Sequence, residues 1–468
     1  MTAISSVSSR PLAVVPIWPE RRPDDALIAS DGVMPQAAVS SSPAGLASLQ
    51  PPLLNALSWK TRSSDALTSL MTVNFGASTL LDRLQGLGAA ALQRFGSEAG
   101  DFSQAVSRLN SGGGQSAYQV ALKIRLADGV DVSVGMDSKG DSLALQIKSS
   151  GQLSAADRHA VTGMATAFQN AIDGMTRSSG LDFSGLLDLD PALVASIDLQ
   201  TKYTFQGREV QSQEFHADQS ARSFSSVGQD GSIKLGIDLR QLAAMGNARQ
   251  RQTGVQAYLK QFDEAGVRGH AHAATLASFK DAFSQMIGAS STTAADQRAT
   301  PLSEDDLALL SGVPDFSASI SDTPVSSNPM RLEETDTFSY RVEQGTSISA
   351  HGQGNRAISQ RRHAHLEASF HESLRAGMPL ALDNSRQSQN YAYKRVSEDA
   401  VSDTEIRHDN GLMTSAATGQ TVSRSTQEWK YLMGVLTGQT TTPETSTVKR
   451  DLLKELLPKG ARAARAAL

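Results

Sequence analysis

The clearest pattern along the chain is a hydrophobic period of two. Tyr118, Val120, Leu122, Ile124 and Leu126 alternate with polar residues, Asp128-Gly129 follows, and Val130, Val132, Val134 and Met136 alternate in turn. Successive side chains of a strand point to opposite faces, so this spacing predicts half-buried strands, and the Asp-Gly pair between them predicts a hairpin. Leu143, Leu145 and Ile147 predict a third strand. The period then changes. Val161, Met164, Phe168, Ile172 and Met175 share one helical face, behind Ser154 and Asp157 spaced as a capping box. Ile197, Leu199, Tyr203 and Phe205 return to strand spacing and turn at Gln206-Gly207, while Asp230-Gly231 leads into Ile233, Leu235, Ile237 and Leu239. Two helices close the block, one marked by Val255, Tyr258, Leu259 and Phe262, the other by Leu276, Phe279, Phe283 and Ile287. Residues 115–287 therefore read as an α+β domain, an antiparallel, hairpin-rich sheet with helices on one face.

Outside that block the patterns are weaker. Residues 1–54 hold eight prolines among serines and alanines and read as a disordered tail, with an export or docking segment as the functional alternative. Residues 55–114 read as a helical segment, from Leu80, Leu81, Leu84, Leu87 and Leu92 up to a Ser-Gly-Gly-Gly run. Residues 288–330 read as a linker. Alternation returns in Phe338, Tyr340 and Val342, in Ile358, Ala364, Leu366, Ala368 and Phe370, and in Tyr391 and Tyr393, with a turn at Asp409-Asn410-Gly411. This predicts a second, thin, mostly antiparallel β block over 331–440. Residues 441–468 read as a basic amphipathic helix. Over residues 447–468, Lys449, Arg450, Lys454, Lys459, Arg462 and Arg465 face only Asp451 and Glu455, with Leu452, Leu453, Leu456 and Leu457 as its apolar side. Such a helix either covers its own sheet or docks on a partner or an anionic membrane.

Composition narrows the function classes. A net charge of −5 does not favour a polyanion partner, so no nucleic-acid role is expected. The absence of cysteine removes disulfides, thiolate metal sites and cysteine nucleophiles; it suits the cytoplasm and equally suits export unfolded, without a cleaved signal peptide. No run of apolar residues is long enough for a transmembrane helix.

The candidate chemistry is sparse. His363, His365, Glu367 and His371 share one phase of the same predicted strand, where side chains two apart stand about 7 Å from each other. Imidazoles and a carboxylate in that arrangement can reach a divalent ion. The plainer reading is the solvated face opposite Leu366 and Phe370. His270 and His272 repeat the spacing beside Gly266 and Gly269 and read as helix-end punctuation. His216 and Asp218 lie on or just after a strand, without a serine in a nucleophile elbow. Asp188, Asp190 and Asp198 form a small acidic cluster that reads as a helix-start cap. Gly352-Gln353-Gly354 has the first two glycines of a dinucleotide loop but enters a strand, whereas that loop must open a helix whose N-terminus holds the pyrophosphate. No cofactor is expected.

VALKIRLADGVDVSVGMDSKGDSLALQIK, LSAADRHAVTGMATAFQNAIDGM, QAYLKQFDEAG, QNYAYKRVSED and EWKYLMGVL together resemble a family of uncharacterised bacterial proteins over roughly residues 115–440. Members of that family often carry the label lactate dehydrogenase. Part of the block also resembles a domain of unknown function linked to flagella. The dehydrogenase label implies a doubly wound parallel sheet, an early G-x-G-x-x-G and a His/Asp/Arg catalytic set. None of these can be placed on this sequence. The expectation is accordingly a non-enzymatic interaction or structural protein with an unidentified protein partner, exported or motility-associated. The alternatives are a metal-dependent enzyme using the His-rich strand and an NAD-dependent dehydrogenase.

Overall fold

The computed structural model describes residues 57–60, 65–98, 100–109, 115–176, 180–188, 190–240, 244–288, 302–350, 354–375 and 377–456. Its strands are β1 (Leu57–Lys60), β2 (Phe102–Arg108), β3 (Ser116–Leu126), β4 (Asp131–Lys139), β5 (Ser142–Ser149), β6 (Val194–Phe205), β7 (Arg208–Asp218) and β8 (Ala221–Gly228). Then come β9 (Gly231–Asp238), β10 (Asp315–Asp322), β11 (Thr337–Ala350), β12 (Arg356–Ser373), β13 (Tyr391–Asp409), β14 (Leu412–Leu432) and β15 (Val435–Asp451). The helices are α1 (Ala66–Phe75), α2 (Leu87–Glu98), α3 (Ala155–Gly163), α4 (Ala165–Thr176), α5 (Ser184–Leu187), α6 (Ala248–Gly269), α7 (Ala273–Gly288), α8 (Glu304–Leu309) and α9 (Leu452–Leu456).

All the strands belong to one open sheet of fifteen, in the order β1-β2-β5-β4-β3-β6 and then consecutively to β15. Every ladder is antiparallel. The expected α+β class with an antiparallel sheet is thus what the chain forms. The two expected β blocks are one sheet: β10 lies inside the stretch read as a linker and pairs with β9 on one side and β11 on the other. Its alternation of Phe316, Ala318 and Ile320 with serines is short, and the Pro/Ser-rich flanks mask it. Likewise β1 and β2 sit within the segment read as helical, and β15 runs to Asp451 where a helix was expected. Threonines and Val448, good strand formers, dominate there, so the helix begins only at Leu452. The dinucleotide-like loop falls partly outside the described residues and the expected tail over 1–54 wholly outside them; Gly354 is followed by strand β12.

Helices cover one face of β2 to β12. The capping box predicted at Ser154 and Asp157 starts α3, and Asn247 with Gln250 caps α6 in the same way. Beneath α6 and α7, Phe262 packs within 4.9 Å of Phe279 and of Phe283 (ring centroids), while Tyr258 meets Phe316 edge-on at 4.9 Å. Offset and edge-to-face rings of this kind add to area burial. The cover by α6 ends at β13, where Arg268 reaches Glu398 at 2.9 Å, and past it α9 packs Leu452 on Ala416 of β14. Arg424 of β14 pairs with the same carboxylate from the other side at 2.7 Å. Beyond it, β15 is exposed along nearly its whole length.

Replacing Phe262, which is fully buried, by alanine is expected to cost about 3–5 kcal/mol of unfolding free energy. Val448→Ala on the exposed ribbon should stay within about 0.5 kcal/mol. Chemical denaturation of the two variants checks this contrast.

Candidate interaction site

Alternation on β12 sends Ala364, Leu366, Ala368 and Phe370 into the helical core and turns the odd residues to the opposite face. Along most of the strand that second face is open. At one end three connections fold over it: 323–336 between β10 and β11, 374–390 between β12 and β13, and the Met433-Gly434 turn between β14 and β15. They enclose a small separate core of Tyr391, Tyr393 and Tyr431, with Leu380, Leu382 and Trp429 against it.

His371 is the hub of this end. Its ring is almost completely buried, with Nδ1 2.6 Å from Asp336 and Nε2 3.2 Å from Glu334. The Tyr391 hydroxyl donates to Glu334 at 2.7 Å, and Asn328 donates to Tyr391 at 3.0 Å and to Gln389 at 2.9 Å. The Tyr393 hydroxyl and the Ser369 hydroxyl both donate to the carbonyl of Thr335. Arg331 lies 4.3 Å from the ring centroid of Tyr431 and donates to the carbonyl of Gly434 at 3.3 Å. Burial disfavours a charged His371, but the hydrogen bonds and charges of Asp336 and Glu334 outweigh it and raise its pKa to about 9. Burial similarly pushes both carboxyls up, and their bonds to His371 and neighbouring hydroxyls more than offset this, holding them below the ordinary range. The hub therefore locks three connections into one rigid end through paired, hydrogen-bonded charges.

The four residues predicted as metal ligands are not brought together. His363 and His365 lie on the open face and share Asp399, at 3.3 and 2.9 Å, and His365 lies 3.4 Å from Glu367. His371 is enclosed with a different pair of carboxylates. The shared phase is real, but the covering connections divide it into an exposed and a buried half. Among the described residues no group of three or more side chains is arranged to hold a metal ion. Glu334, Asp336 and Asn328, which make the hub, were not singled out by sequence because they lie in an irregular connection; only their crossing over His371 joins them.

The other polar candidates are structural. His216 bridges Asp198 at 2.7 Å and Asp218 at 3.2 Å across β6 and β7, and these bonds raise its pKa to about 9. Asp190 caps a turn into β6 rather than a helix, accepting from the amide of Ala192 at 2.9 Å. His270 ends α6 with a left-handed backbone and stacks on Phe370, as a helix-end residue does. Asp306, fully buried, ties α8 to His408 at 2.7 Å and to Arg356. An open cleft of 410 Å³ on the sheet face is lined by Gln119, Gln146, Gln200 and Lys202 and lacks a histidine.

Two surfaces remain unaccounted for by internal packing. The first is β15: among the described residues it pairs only with β14, and its outer edge has no neighbouring strand. The second is the hub end itself, which carries more than half of the exposed large apolar side chains among the described residues. No described helix is long and apolar enough to cross a membrane. Comparison with protein-family models, with curated proteins and with solved structures finds no match to this chain.

His371→Ala should cost about 3–5 kcal/mol, because it strands the buried Glu334 and the half-buried Asp336. In the folded chain His371 keeps its proton up to about pH 9, against about 6.5 when unfolded. Its stabilisation is complete below about pH 6.5 and is lost as pH rises toward 9. His216 contributes in the same window. Denaturation midpoints between pH 6 and 9.5 should therefore fall for the native chain, fall less for His371→Gln or His216→Gln, and flatten for the double variant.

Proposed function

We propose that this chain is a non-enzymatic interaction protein whose last strands form an unfinished sheet completed by a protein partner. The observation that supports this most directly is β15. Its seventeen residues are almost all exposed, it closes the strand order, and the helical layer stops short of it. Between Ala416, packed by Leu452, and Tyr431, in the tyrosine core, β14 makes with it a single-layer ribbon held by cross-strand pairs such as Thr421 with Thr447 and Arg424 with Glu444. A strand edge left open offers rows of backbone donors and acceptors to another chain.

Pro443 divides that edge. It pairs with Ser425 within the ladder, and a residue without an N–H is tolerated there only with its nitrogen turned away from β14. Period two then turns the amides of Gln439, Thr441, Thr445 and Thr447 outward as well. Between Val435 and Thr442 the edge has no charge, while Lys449, Arg450 and Asp451 charge the other half. Added strands are favoured by the first half and discouraged by proline and charge beyond it. The resemblance to a flagella-linked domain supports a place in a surface or motility assembly for such a module.

The edge is tested by Gln439→Pro with Thr441→Pro, which removes outward donors and leaves the bonds to β14 in place. Chemical cross-linking in native lysate should give a defined partner for the native chain and lose it for the variant, with unchanged circular dichroism. An unchanged partner set, or saturable binding of a nicotinamide cofactor or of stoichiometric metal, would contradict the reading.

A further inference from the structure

The chain uses one hairpin turn three times. Gln206-Gly207, Asn410-Gly411 and Met433-Gly434 all place both residues at positive φ, at 51° and 77°, 50° and 80°, and 52° and 78°. That geometry favours a short polar residue such as asparagine at the first position, because larger side chains pay for a left-handed backbone. Two of the turns have a polar residue there. The third has Met433, nearly half exposed, flanked by exposed Leu432, Val435 and Leu436. Leu432 and Val435 are cross-strand partners, and Leu436 stands opposite Tyr431, so both faces of the hairpin tip are apolar.

Three further observations say what medium this tip suits. Three of its backbone groups are already bonded from within: the Met433 amide donates to Asn390 Oδ1 at 2.9 Å, the Gly434 amide to the Gln389 carbonyl at 2.9 Å, and the Gly434 carbonyl accepts from Arg331. Removing water from it would strand none of these groups, which is the condition for entering hydrocarbon. Exposed Met330, Leu332 and Met378 lie on the two connections gathered at the same end. Trp429 and Tyr431 belong to the small core at this end, and Arg375, Arg386 and Lys430 are exposed, Lys430 lying 3.0 Å from Glu428. Aliphatic side chains, aromatic rings and cations gathered at one end are the groups matched to acyl chains, interface and phosphates.

We infer that this end of the sheet inserts its apolar side chains shallowly into a phospholipid surface, with Met433 at the leading point. The contact is distinct from strand addition at β15, since it uses the end of the ribbon at residues 432–436 and leaves the outward amides from Gln439 onward free. It is driven by apolar burial, with the cations adding affinity for anionic headgroups.

Flotation of the full chain with phosphatidylcholine vesicles, and with mixed phosphatidylcholine–phosphatidylglycerol vesicles, tests it. The native chain should float with both and more with the second. Met433→Asn with Val435→Thr should weaken flotation by about tenfold or more. Met433→Asn alone should also raise the melting temperature, because asparagine suits the turn, which separates lost binding from lost folding. Gln substitutions of Arg375, Arg386 and Lys430 should remove only the preference for anionic vesicles. Absence of flotation with either vesicle, or flotation indifferent to Met433→Asn with Val435→Thr, overturns the inference. So does the outcome in which these changes abolish a cross-linked protein contact but leave vesicles unbound, which would identify a protein socket. The strand-edge reading is decided separately by the proline variant.

Discussion

Backbone hydrogen bonding between neighbouring strands is the constraint on which the rest of the molecule depends. Each interior strand satisfies its amides and carbonyls on both sides, and an open sheet necessarily ends in two strands that do so on one side only. At β1 the cost is small, since four residues are involved. At β15 the ladder to β14 spans nearly the whole strand, a length of about 55 Å at roughly 3.3 Å per residue. Helices bury the apolar face of most strands, reach β14 only where Leu452 packs on Ala416, and leave β15 uncovered, so the ribbon is held mainly by backbone bonds and cross-strand pairs.

Rigidity at one end offsets that thinness. The His371 hub ties two irregular connections to the root of β13, and Arg331 carries the tie to the β14–β15 turn. The arrangement concentrates charge where water is excluded, which is tolerable because each charged group has opposite charge and hydrogen-bond partners. Farther along, Glu398 between Arg268 and Arg424 marks the last point where the helical layer grips the sheet. The ribbon is thereby fixed at its tip and along its inner side, with its outer edge open.

Much of the sheet was legible because its strands alternate strictly and turn at Asp-Gly, Gln-Gly and Asn-Gly pairs. The α+β class, the hairpins around Asp128-Gly129 and Asn410-Gly411, and the capping box at Ser154 follow from local rules that the tertiary structure does not override. The unity of the sheet was not legible. β10 is short and lies among prolines and serines, and only its pairing with β9 and β11 joins the two blocks. The His-rich strand shows the same limit. Period two correctly put His363, His365 and His371 on one face, but nothing local says that residues 323–336 cross it and enclose only the last. The turn at Met433-Gly434 was hidden because methionine is a poor marker of a left-handed position.

The claim that β15 presents an open edge is most directly tested by residue-resolved amide hydrogen exchange on the isolated full chain. Alternation is the predicted result: Thr442 and Ser446, bonded to β14, should be protected, while Thr441 and Thr445 exchange at rates close to those of an unstructured chain. Uniform protection along β15 would mean that its edge is already covered, and uniformly fast exchange would mean that the ribbon does not form; either contradicts the account.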